Sequence, residues 1–280
     1  MISKSSRRSL AAAAILPAAG LVSAARAQDG RESTLERVQR TKVLRIAALP
    51  GELPYFNKDL VAGTWSGAAI EMANSIAAVF DAKLAYVEST YGNSVLDLQS
   101  NKVDLAFALN PTPQRALAIG FTHPMIINPF GCVAKQGFDP KTWDDINKPS
   151  VKIAFDIGSL HDTCAHRFAP KAQLVGFKTR DECILALQSG RVDVDILAAT
   201  LGLAAIGRNP NLGSYRLLTQ PTVSLPSSLG IQHEPDTRFR EILDAWLDFN
   251  RGIGQIREWM LTGLGQLGVK RDDLPPELTF

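Results

Sequence analysis

Between two apolar stretches the chain reads Asn110-Pro111-Thr112-Pro113-Gln114-Arg115. This segment offers an amide, a hydroxyl and a guanidinium within a few residues of one another. A guanidinium can grip a carboxylate through two parallel N–H···O bonds, a geometry that an ammonium group does not reproduce. Composition alone equally allows Arg115 to be a solvated residue at a helix start. Other chemistries lack their residues. There is no Gly-Lys-Ser/Thr phosphate loop, no Gly-x-Ser-x-Gly elbow and no paired-histidine metal motif. The histidines are His123, His161, His166 and His233. His161 and His166 stand five apart, whereas spacings of three or four put two ligands on one helical face. The cysteines Cys132, Cys164 and Cys183 show no zinc-site spacing. No cofactor or metal is implied.

The elements that would position these groups alternate. Residues 43–49, 84–87 and 103–109 are short apolar runs that read as buried strands, and 67–80 and 93–101 read as helices between them. The same pattern returns in strands at 151–155, 174–177 and 192–197, with helices at 160–168, 179–189 and 200–207. Strands alternating with helices predict mostly parallel sheets covered by helices, with ligands beyond the carboxyl ends of the strands. The segment 110–115 lies at such an end. An internal echo supports duplication: Val95-Leu-Asp-Leu-Gln-Ser-Asn-Lys-Val-Asp104 matches Ile184-Leu-Ala-Leu-Gln-Ser-Gly-Arg-Val-Asp193 in type at nearly every position. Residues 130–136 and 223–232 could carry the chain between two lobes, and helices at 236–250 and 253–264 would return it to the first. The expectation is an α/β, two-lobed fold with a two-crossing hinge, lobe 1 being 28–132 plus 227–280 and lobe 2 being 133–226. Such a hinge makes a cleft that can close on a ligand.

The first 27 residues have the order of a secretory signal: paired Arg7 and Arg8, an uncharged Ala-rich stretch broken by Pro17 and Gly20, then the small-x-small site Ala25-Arg26-Ala27. The arginine pair hints at the twin-arginine route. This predicts a periplasmic protein without a membrane-inserted segment. The whole sequence of 280 residues has a formal charge of +2, and removing Lys4, Arg7, Arg8 and Arg26 with the signal leaves −2. The remainder has no basic run, so nucleic acid is not an expected partner. In an oxidising compartment Cys164 and Cys183, both on helices assigned to lobe 2, could bridge; three buried free thiols are the alternative.

From about residue 43 to 268 the chain resembles the family 3 extracellular solute-binding proteins, dominated by polar amino-acid receptors of ABC importers. The resemblance rests on a series of short segments in order. They are Val43-Leu-Arg-Ile46, Pro54-Tyr55-Phe56, Trp65-Ser66-Gly67, Ile70-Glu71-Met72-Ala73, Leu98 to Asp104, Thr112 to Ala116 and Phe121-Thr122-His123-Pro124. Gly190-Arg191-Val192-Asp193, Leu229-Gly230-Ile231 and Gly254 to Trp259 complete the series. It implies that Arg115 clamps a ligand carboxylate, with Asn110 and Thr112 beside it. It also implies that Tyr91, on a loop before the helix at 93–101, packs on the ligand, and that Tyr55 and Phe56 end the first cleft loop. In the second lobe Gly158-Ser159-Leu160-His161 matches a strand-to-helix turn whose backbone N–H groups suit an anion. Ser159 adds a hydroxyl, and the His161 side chain is expected to be idle in solvent.

One departure stands out. Amino-acid receptors of this family carry an acid five positions after the Asp of the Gly-Arg-x-Asp segment, to pair with the ligand's ammonium. That position here is Ala198. Glu52 and Asp156 are the acids that could stand in; otherwise the ligand lacks an α-amino group. The resemblance thus implies a monomeric receptor handing a small carboxylate, an amino acid or near relative, to an inner-membrane ABC permease. The alternatives are a periplasmic dehydratase-like enzyme using Glu52 or His161 as general acid, and a ligand-sensing accessory protein.

Overall fold

The structure, a computed structural model, describes residues 32–280. The signal reading of residues 1–27 lies outside them. The chain opens with α1 (Thr34–Thr41), started by a capping box in which Ser33 and Glu36 satisfy each other's backbone N–H groups. There follow β1 (Val43–Ala48), the hairpin strands β2 (Asn57–Lys58) and β3 (Trp65–Ser66), α2 (Ala68–Val79), β4 (Lys83–Glu88), α3 (Tyr91–Gln99), β5 (Leu105–Leu109) and α4 (Pro113–Ala118). Next come β6 (Gly120–Ala134), α5 (Trp143–Ile146), β7 (Lys152–Asp156), α6 (Leu160–Phe168), β8 (Gln173–Phe177), α7 (Arg180–Gln188), β9 (Val194–Ala198) and α8 (Ala199–Arg208). The chain ends through β10 (Ser214–Leu217), β11 (Ser224–Ile231), α9 (Arg238–Gly252) and α10 (Gln255–Gly265).

Strand order is β4-β1-β5-β11-β6-β9-β7-β8, with β10 also on β6. Two parallel triplets flank an antiparallel centre: β1 pairs in parallel with β4 and β5, and β7 with β8 and β9. The long strand β6 serves both halves. It pairs with β11 as far as Pro129 and with β9 from Phe130 onward. The expected two-lobed α/β architecture is present, but the sheet is mixed rather than mostly parallel, because β6 and β11 pair antiparallel with their neighbours. The stretches 130–136 and 223–232, read as connections, lie largely within β6 and β11. Prolines hide both strands from pattern reading, since Pro124, Pro129 and Pro226 fall inside them and proline cannot donate to a sheet ladder.

The echo is structural. Its two copies lie 89 residues apart and form α3–turn–β5 and α7–turn–β9. Each helix exits through a left-handed residue, Asn101 (φ 57°) in one copy and Gly190 (φ 69°) in the other, the residue types that tolerate this conformation. Each unit then ties itself to the neighbouring strand through its aspartate. Asp104 accepts from Arg45 N at 2.7 Å, and Asp193 accepts from Lys152 N at 2.7 Å.

Strand alternation also decides the cysteines. On β7, Ile153 and Phe155 enter one apolar cluster and Ala154 another; on β9, Val194 and Ile196 separate from Leu197 in the same way. Cys164 of α6 packs in the first cluster and Cys183 of α7 in the second, so the sheet stands between them. Cys132, Cys164 and Cys183 are all buried free thiols, and the bridge between Cys164 and Cys183 is not made.

Candidate functional site

The loops after the parallel strands converge. Leu49 to Phe56 follows β1, Asn110 to Thr112 follows β5, Ile157 to Ser159 follows β7, and α8 follows β9 directly. The first of these loops is fixed by the start of α2, where Ala68 N donates to Pro54 O at 2.9 Å and Ala69 N to Tyr55 O at 3.0 Å. Gly67 permits this approach. Its φ is +115°, and a Cβ there would stand 2.5 Å from Tyr55 O. Thr112 caps α4, its hydroxyl accepting from Arg115 N at 3.2 Å, and Pro113 occupies the first turn where its missing N–H costs nothing. Thr112 therefore positions Arg115 through the helix start.

Arg115 spans the two lobes. Its Nη1 donates to Asn110 O at 3.2 Å within the first, and its Nη2 donates to Gly158 O at 3.1 Å in the second. Burial lowers its pKa, with Asp156 and Tyr91 opposing. Beside it lies a cavity of about 20 Å³. That is room for a water molecule. Tyr55, Tyr91, Asn110, Arg115, Ser159 and His161 of the expected residues line it. Tyr91 stands on the first turn of α3, because Thr90 caps the helix two residues earlier than the sequence suggested. The Asn110 side chain is already committed, donating to Pro226 O at 2.7 Å. Tyr55 Oη meets Thr200 Oγ1 at 3.1 Å, and Asn128 Nδ2 donates to the same hydroxyl at 2.8 Å.

His161 is not idle in solvent; its side chain is 6% exposed. Its Nε2 accepts the Ala198 N–H at 3.1 Å, which leaves the proton on Nδ1, 3.0 Å from Asp156 Oδ1. Burial pushes its pKa below the usual histidine value, with Arg180 and Arg115 adding to the effect against Asp156, so the ring is neutral at pH 7. Ser159 caps α6 and donates to Asp156 Oδ1 at 2.9 Å. The Gly158 N–H, at φ +77°, is taken by Asp162 Oδ2 at 3.0 Å, so this donor of the turn is spent within its own helix start.

The two acids considered as ammonium partners do not line the cavity. Both are drawn to Arg180, the first residue of α7, which is fully buried. Arg180 Nη2 donates to Asp156 Oδ1 at 2.5 Å; its Nε lies 3.8 Å from Glu52 Oε2 and its Nη1 3.7 Å from Asp195 Oδ1. Glu52 comes from the first cleft loop, so this cluster also joins the lobes. Three carboxylates around one guanidinium cannot all ionise without water. Burial lifts Glu52 and Asp195 to about 8 each, against the pull of Arg180. At Asp156 burial acts the same way, but Arg180 and His161 outweigh it and hold the group well below the usual carboxylate range. Sequence reasoning missed Arg180. The signal was the echo carried further back: Thr179-Arg180 stands 89 residues after Thr90-Tyr91, so the two helices present their first residues at equivalent places.

Residues 44–156 match the family model of the bacterial extracellular solute-binding proteins, family 3. Among curated proteins, it is 22% identical over 262 residues to a cyclohexadienyl dehydratase of Pseudomonas aeruginosa, covering 90% of this chain and 91% of that one. It is 22% identical over 174 residues to the ABC transporter arginine-binding protein 1 of Escherichia coli, covering 61% and 70%. Among solved structures, an amino acid ABC transporter substrate-binding protein of Streptococcus pneumoniae bound to L-arginine superposes with a TM-score of 0.77 at 20% identity, over 84% of this chain and all of that one. The chain therefore has the two-lobed periplasmic-binding-protein fold.

Proposed function

We propose that this chain is the periplasmic receptor of an ABC importer, capturing a small carboxylate-bearing solute, an amino acid or close relative, in the cleft between its lobes. The observation that carries this reading is Arg115, a guanidinium at the end of β5 that meets the opposite lobe at Gly158 O. In the shut cleft that carbonyl occupies a donor a carboxylate would take, so ligand entry requires the lobes to part and Arg115 to exchange partners. Lobes of 28–132 plus 227–280 and of 133–226 suit the motion, since β6 changes partners at Pro129 and Phe130 close to one of these limits. The closed form would dock on an inner-membrane permease, and the receptor would act as a monomer.

The test is thermal unfolding of the mature, ligand-stripped protein against amino acids, dicarboxylates and keto acids. A ligand at 100 times its Kd stabilises by about 2.7 kcal/mol, a rise of roughly 5–10 °C for a chain of this size. A panel without any shift would refute the carboxylate-receptor reading. The likeness to a dehydratase over most of the chain supports a second reading, an enzyme with Glu52 as a protonated acid beside the cleft. Failure to form phenylpyruvate from prephenate would remove it.

A further inference from the structure

The cavity at Arg115 is electrostatically lopsided. Among its lining residues Arg115 carries a full positive charge, and no aspartate or glutamate is present. The other polar side chains that line it are neutral: the hydroxyls of Tyr55, Tyr91, Ser159 and Ser227, the amides of Asn110 and Asn128 and the ring of His161. The acids close by are turned away. Glu52, Asp156 and Asp195 surround Arg180 in the interior, and Asp156 Oδ1 alone already accepts from Arg180, Ser159 and His161. At neutral pH Asp156 is the ionised member of this group, and its charge is matched by Arg180. At Ala198, on the cavity wall, the backbone N–H is closed off by His161.

We infer that the cleft selects a small carboxylate whose second polar group is uncharged, a 2-hydroxy or 2-oxo acid, over the corresponding 2-amino acid. This rests on the reading of the cleft as a carboxylate receptor site. A carboxylate would be matched by Arg115, while an α-ammonium would enter a cavity whose lining offers it no anion. A hydroxyl or carbonyl at the same carbon needs only the neutral donors and acceptors present. Losing one charge-assisted bond corresponds to a preference of about 10- to 100-fold.

The experiment is calorimetric titration with matched triads sharing one side chain: lactate, pyruvate and alanine; phenyllactate, phenylpyruvate and phenylalanine; 2-hydroxyglutarate, 2-oxoglutarate and glutamate. The hydroxy or oxo member of at least one triad is expected to bind at least tenfold more tightly than its amino partner. Tighter binding of the amino member overturns the inference and leaves the receptor reading standing. Binding of none of the nine overturns both. An Ala198→Asp variant supplies the missing charge, and its gain of amino-acid binding by tenfold or more would support the inference. A folded Ala198→Asp protein that gains none would overturn it, and should this variant not fold, the wild-type triads still decide.

Discussion

Replacing Glu52 by glutamine tests the buried cluster around Arg180. Glu52 faces Arg180, Asp156, Asp181 and Asp195, and burial raises its pKa from 4.5 to about 8 in the folded chain. A group raised on folding contributes stability that is fully present below its unfolded value and is lost as pH rises through its folded one. Between pH 6 and pH 8 the unfolded chain is already ionised here while the folded chain still holds the proton. Stability then falls by about 1.4 kcal/mol per pH unit, on the order of 3 kcal/mol over the window. Asp195, also raised to about 8, adds a similar loss. Glutamine mimics the protonated side chain and cannot titrate. Glu52→Gln should therefore lose about half as much stability as the wild type between pH 6 and pH 9, and should be the more stable protein at pH 9. Urea unfolding followed by tryptophan fluorescence at each pH gives both slopes. Equal slopes in the two proteins, or a wild type whose stability is flat across this range, would refute the assignment of a buried, protonated Glu52.

Arg180→Met leaves three buried acids without their cation, and removing one partner of a buried pair typically costs about 3–5 kcal/mol; urea unfolding at pH 7 should show that loss, and a change under 1 kcal/mol would mean the cluster is not buried in solution. The thiols of Cys132, Cys164 and Cys183 are all free and buried, and burial pushes Cys164 up to about 12. Ellman's reagent should find three thiols per mature chain in denaturant and almost none in the native protein; one thiol in denaturant without reductant would indicate a disulfide.

Much of this fold was legible in the sequence because its elements are repeated and periodic. The helix at 160–168 was read with the bounds of α6, and the echo 95–104 against 184–193 identified the unit that closes each lobe. The long β6 escaped because Pro124 and Pro129 interrupt its pattern, although in its second half Phe130, Cys132 and Ala134 enter one apolar cluster and Val133 the other. At the site, residue types alone left Arg115 open between a carboxylate clamp and a solvated helix start, and only the family resemblance favoured the first. The fate of the acids could not. Whether Glu52 and Asp156 face a ligand or the interior depends on Arg180, and a charged residue opening a helix reads by default as solvent-facing. Likewise the His161 ring is held by the Ala198 N–H and by Asp156, the first of these 37 residues away in the sequence.

The central claim is that Arg115 holds a ligand carboxylate between closing lobes. Isothermal titration of wild type, Arg115→Lys and Arg115→Met with whichever carboxylate binds tests it directly. Two charge-assisted hydrogen bonds at about 1.5–3 kcal/mol each predict a loss of roughly 100-fold or more for methionine, with lysine recovering only part. A folded Arg115→Met protein that binds the same acid with unchanged Kd would contradict the claim.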